Sequence, residues 1–147
     1  MDKSQRQLID TYFRKRKIAG EQSIGDRYQP YEFDYLTKDI KNNINKFNKD
    51  DIAYLIDKHP QLVEYFKDRL EELDEHNITG ILYHYPQLIK YFKDRLGEIS
   101  HENIRLVLSK QPSLVDYFKD KLGEMTDYQI REILYHQPQL AKYFPSQ

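Results

Sequence analysis

Apolar positions recur along the chain at helical spacing, and the pattern restarts every 26 residues. Ile52, Leu55 and Ile56 are matched by Ile78, Ile81 and Leu82, then by Ile104, Val107 and Leu108, then by Ile130, Ile133 and Leu134. Intervals of three and four place each set on one face, which predicts a short amphipathic helix of about ten residues in each repeat. A second apolar set follows a proline. Leu62, Val63, Phe66 and Leu70 follow Pro60, counterparts follow Pro86 and Pro112, and PQLAKYF begins at Pro138. Proline suits the first position of a helix, where its missing N–H costs nothing, so each repeat is expected to hold a second helix.

The boundaries are written as clearly as the stripes. Asn48, Asp74, Ser100 and Thr126 share one register, and all four side chains accept hydrogen bonds from the free N–H groups of a first helical turn. Phe47, Leu73, Ile99 and Met125 stand just before these caps, and Ile52, Ile78, Ile104 and Ile130 follow five residues later. That spacing is the hydrophobic staple, which sets the angle of the incoming chain. Gly97 and Gly123 are expected to end the second helices in a left-handed conformation, with Glu71 in that place in the first repeat.

Two helices this short cannot bury their stripes alone, whereas stacked copies share a continuous core. The expected fold is all-α and a single domain: an α-solenoid of four two-helix repeats at 48–73, 74–99, 100–125 and 126–147. A cap helix over 34–47 would precede them, since Leu36, Ile40 and Ile44 fall one period before Leu62, Phe66 and Leu70. Upstream lie an aromatic loop over 21–33, with Tyr28, Tyr31 and Phe33, and a basic N-terminal helix over 1–20.

Composition narrows the chemistry. The 147 residues are 39% hydrophobic and 14% aromatic, enough for an ordered core, and contain no cysteine, which excludes disulfides, thiolate metal sites and a thiol nucleophile. No apolar run reaches membrane-spanning length and MDKSQRQL lacks the apolar stretch of a signal peptide, so a cytoplasmic location is expected. The net charge of -1 gives no general attraction to polyanions. Residues 1–47 do carry ten Lys/Arg against seven Asp/Glu. Arg6, Arg14, Lys15, Arg16 and Lys17 are therefore the candidate polyanion site, although cations also suit a helix end.

The five histidines give no ligand cluster. His84 and His136 share a repeat position with Lys58 and Lys110, which points to a cation complementing the last turn of each first helix. The KDRL runs alternate in sign and read as solvated faces, and Glu64, Lys90, Asp116 and Lys142 alternate so that stacked neighbours would attract. No phosphate-binding loop, dinucleotide glycine pattern, zinc-ligand pair or serine elbow occurs, so no catalytic, cofactor or metal site and no small-molecule substrate is expected. Recognition remains. Positions that vary between repeats over a fixed core bring forward Tyr54, Tyr83, Tyr85, Tyr128 and Tyr135, rings with polar tips that anchor interfaces. The expected function is a non-catalytic binding module with a protein partner; the alternative is a nucleic-acid binder using the basic N-terminal helix.

Overall fold

The computed structural model describes residues 44–144, and all of its elements are helical, with no strand among the described residues. The basic helix 1–20 and the aromatic loop 21–33 lie outside these residues, as does the cap helix 34–47 apart from residues 44–47, which hold a 3-10 turn at Ile44–Lys46. The chain divides into two compact units between Glu72 and Leu73.

Four α-helices of ten residues carry the caps that the sequence predicts: α1 (Lys49–Lys58), α2 (Glu75–His84), α3 (His101–Lys110) and α4 (Asp127–His136). The side chains of Asn48, Asp74, Ser100 and Thr126 accept from the backbone N–H three residues on, at 2.8, 2.9, 3.3 and 3.2 Å. Asp51, Asn77 and Gln129 return the bond to the cap's own N–H at 3.0 Å each, which completes a capping box in three of the four helices. All eight staple residues are buried.

Each helix ends on the residue before the proline. His59, Tyr85, Gln111 and Gln137 leave helical geometry at φ/ψ of −138°/79°, −133°/75°, −126°/75° and −136°/72°. Proline excludes the helical region for its predecessor, so one steric rule sets all four corners. The N–H of each corner residue still bonds the carbonyl four back, at 2.7–2.8 Å, and its own carbonyl accepts from the leucine three residues ahead, at 2.9–3.1 Å.

Beyond the corner the chain adopts a 3-10 helix in every segment, tighter than the α spacing of the apolar residues suggests. A 3-10 helix turns by about 120° per residue and would spread Leu88, Phe92 and Leu96 over three faces, yet all three are buried. A break at Phe92, φ −124° and ψ 12°, separates Pro86–Tyr91 from Lys93–Glu98 and re-aims the second half. Phe118 repeats it at −116° and 12°, between Pro112–Phe118 and a single α-turn at Lys119–Leu122. In the first compact unit Pro60–Glu72 runs through as one 13-residue helix.

The glycines differ from expectation. Gly123 sits at φ −66° and ψ −17°, right-handed, and Gly97 lies inside Lys93–Glu98 with no positive φ. A right-handed turn carries the chain directly to the buried staple residues Ile99 and Met125, so a left-handed cap is not needed.

Within the first compact unit Phe47 meets Phe66 edge to face at 5.6 Å over a core of Ile52, Leu55, Ile56, Leu62, Val63 and Leu70. Arg69 fastens this core by donating to the Phe47 carbonyl at 2.8 Å while paired with Glu72 at 2.6 Å. In the second compact unit Arg95 does the same to the Leu73 carbonyl at 2.7 Å, paired with Glu98. Lys121 follows, donating to the Ile99 carbonyl at 2.7 Å. The KDRL runs are thus only partly solvated faces: Lys67, Asp68, Lys93 and Asp94 are exposed, whereas the arginine of each run is half-buried and ties the second helix to the residue before the cap.

Candidate functional site

In the second compact unit α2 packs on α3 and α3 on α4. Their last turns therefore form a row at the proline corners. Glutamines hold the row together: Gln111 Nε2 donates to the Tyr83 carbonyl and Gln137 Nε2 to the Ser109 carbonyl, both at 2.8 Å and both across 28 residues. A second set of bonds joins the opposite ends of the same helices. Glu75 accepts from the Ser100 N–H at 2.8 Å and from Asn103 Nδ2 at 2.5 Å, and Glu102 accepts from Gln129 Nε2 at 3.3 Å. The Ser100 hydroxyl and N–H, with Asn103 after them, hold the Glu75 carboxyl below the usual glutamate range; Arg105, then Gln129, do so for Glu102.

Three of the five candidate tyrosines lie along the corner row. Tyr83 is half-buried, with the His84 ring edge-on at 5.2 Å and the Lys110 ammonium 5.8 Å from its centroid. The Tyr85 ring also meets His84 edge to face, at 6.1 Å. Tyr135, 81% exposed, stands two segments further on with His136 edge-on at 5.1 Å. Tyr83 and Tyr135 occupy the same register on α2 and α4 with α3 between them, a separation of about 16–20 Å at normal helix spacing. Tyr128 is 54% exposed but lies near the start of α4, with the Arg105 guanidinium 5.9 Å from its ring. Tyr54, in the first compact unit, is half-buried with Lys58 over it at 6.0 Å. The structure therefore gathers Tyr83, Tyr85 and Tyr135 on one edge and sets Tyr128 and Tyr54 elsewhere. Arg6, Arg14, Lys15, Arg16 and Lys17 lie outside the described residues.

The edge also contains residues whose part in it their identity alone does not reveal. Lys110 braces Tyr83, and Gln111 and Gln137 pin the carbonyls beneath; the visible signal was a glutamine before the proline in two consecutive segments. Lys58, His84, Lys110 and His136 fall in the last turns and are exposed. No group of three or more His, Asp or Glu that could hold a metal occurs among the described residues. Within the second compact unit Asp116 of the alternating series does not pair as expected. Asp116 binds Lys119 at 3.1 Å, three residues along its own segment, and accepts from the Tyr143 hydroxyl at 3.3 Å. A partner one turn away costs less side-chain entropy to hold than one on a neighbouring segment.

No helix among the described residues is long and apolar enough to cross a membrane. Comparison with protein-family models, with curated proteins and with solved structures finds no match.

Proposed function

We propose that the protein is a non-catalytic, cytoplasmic binding module of the α-solenoid kind, built from four copies of one 26-residue two-helix repeat, and that it recognises another protein. The observation that carries this reading is the contrast between frame and edge. Caps, staples and proline corners recur with near-identical geometry, while the position in the last turn beside them changes from Tyr83 to Ser109 to Tyr135, half-buried in the first two and 81% exposed in the third. A fixed frame with variable outward residues is how stacked repeats encode specificity. Tyrosine rings braced by a lysine and by histidines are rigid, amphipathic anchors with little side-chain entropy left to lose on binding.

The test is affinity capture from the native host with mass spectrometry, before and after nuclease treatment. The expected outcome is a protein retained after nuclease and in high salt, and lost with Tyr83→Ala/Tyr85→Ala at unchanged helicity. Capture that disappears with nuclease and falls steeply with salt would replace this reading with nucleic-acid binding.

A further inference from the structure

In the second compact unit the 3-10 segments after the proline corners meet at two junctions, one completed by an acid and one not. At the later junction the Asp116 carboxylate is held by the Lys119 ammonium at 3.1 Å and by the Tyr143 hydroxyl, which donates to the same oxygen at 3.3 Å. The Lys119 ammonium also lies 5.9 Å from the Tyr143 ring centroid, so acid, cation and phenol form one cluster across successive segments. One period earlier the same three registers hold Lys90, Lys93 and Tyr117. Cation and phenol are kept, and a second cation stands where the acid would be. The backbone frame repeats at this point, since Phe92 and Phe118, just before Lys93 and Lys119, break their segments at φ/ψ of −124°/12° and −116°/12°. Lys93–Glu98 packs on Pro112–Phe118, which brings the segments of Lys93 and Tyr117 together. Lys90, Lys93 and Tyr117 are all exposed, Tyr117 by 44%. Among the described residues neither Lys93 nor Tyr117 makes a hydrogen bond or ion pair, and Lys90 lies over the Tyr91 ring at 5.3 Å. Asp94 follows Lys93 as Asp120 follows Lys119, and neither aspartate pairs with its lysine. Asp116, next to Tyr117, is taken up by the later junction.

We propose that Lys90, Lys93 and Tyr117 form a binding site for a carboxylate side chain of the partner protein, in the place that Asp116 fills at the next junction. The inference rests on the reading of the chain as a binder of another protein and adds the chemistry of one contact. The internal copy supplies the occupant, because a lysine and a tyrosine in these registers already hold a carboxylate there. Charge points the same way. Two ammonium groups and a phenol O–H are donors, and an ionised carboxylate, which only accepts, offers two oxygens to share among them. Bonds between an ammonium and a carboxylate are charge-assisted and shorter than neutral ones. Lys90 adds a positive charge that the Asp116 cluster does not have in that register, so the place attracts an acid from outside instead of supplying one. The contact is open to solvent, so it is weak by itself and selects an acidic partner more than it tightens the complex.

The test is an NMR titration of the full chain with a capped oligoglutamate peptide, with oligoglutamine and with inorganic phosphate, followed at the Tyr117 ring and at the Lys90 and Lys93 side chains. The expected result is a saturable shift with oligoglutamate, none with oligoglutamine and a weaker one with phosphate. Lys90→Asp supplies the carboxylate from within the chain and is expected to weaken oligoglutamate binding at this site by about fivefold or more. Asp116→Lys vacates the later junction and is expected to add a second responsive site at Lys119 and Tyr143. Both substitutions lie on exposed positions and leave the core untouched. A Tyr117 ring that does not respond, a Lys90→Asp chain that binds as tightly as wild type, an Asp116→Lys chain without the second site, or phosphate held more tightly than oligoglutamate each overturns the proposal. The titration needs no native partner, so its failure is distinct from a failure of the affinity capture.

Discussion

Phe92 shows how much one ring carries in segments this short. It is 1% exposed, sits at the break between two 3-10 stretches, and is the residue through which the second half of its segment is re-aimed at the core. Truncation removes both the buried area and the reason for the break. Phe92→Ala is expected to lower stability by about 3–5 kcal/mol, read from the urea midpoint of unfolding. Gly97, five residues later, points the other way. Its backbone is not left-handed and an added Cβ would have nothing within 4 Å, so no folded-state demand requires glycine there. Gly97→Ala is expected to stabilise by about 0.4–1 kcal/mol, by restricting the unfolded chain. A loss of stability in the same denaturation assay would show a constraint that the backbone does not display.

At the scale of the element, legibility follows the range of the interaction. Caps, staples and proline corners act within five residues, and Asn48, Asp74, Ser100 and Thr126 cap the helices at the predicted positions. The 3-10 winding after the corners was not legible, since Leu62, Phe66 and Leu70 have the spacing of an α-helix and only the three-dimensional course distinguishes the two. Nor were the long-range bonds. Gln111 and Gln137 read as ordinary polar residues until each is seen to reach a carbonyl 28 residues back. Of the candidate site, residue type was readable and grouping was not. Tyr83 and Tyr135 share a register, whereas Tyr128 sits at the other end of its helix. Gln111→Ala gives the long-range bond a number: a loss of about 0.5–1.5 kcal/mol. Gln87→Ala, at an exposed position, is expected to stay within about 0.5 kcal/mol of wild type, so equal effects in a paired thermal melt would remove the special role from Gln111.

At the scale of the molecule, four glutamates among the described residues are held below their ordinary range, by charged donors or by neutral ones. Arg69 and Arg95 lower Glu72 and Glu98 through hydrogen bonds and charge on an exposed surface. Glu75 is lowered first by the Ser100 hydroxyl and N–H, donors that carry no charge, and these bonds join two consecutive helices. A carboxyl whose folded pKa lies below its unfolded value adds stability that is complete above the ordinary glutamate pKa of about 4.3 and is lost as the pH falls through the folded value. Stability is therefore expected to hold from neutrality to about pH 5 and to decline below it. Salt separates the two causes. Screening weakens exposed ion pairs such as Arg69–Glu72 and Arg95–Glu98, while hydrogen bonds from neutral donors persist. Urea midpoints measured between neutral and acid pH should keep part of their acid decline in high salt, and Glu75→Gln, which cannot titrate, should reduce that residual slope. If high salt abolishes the acid decline entirely, or Glu75→Gln leaves the residual slope unchanged, then the ion pairs rather than the bonds between successive helices set the acid limit of the fold.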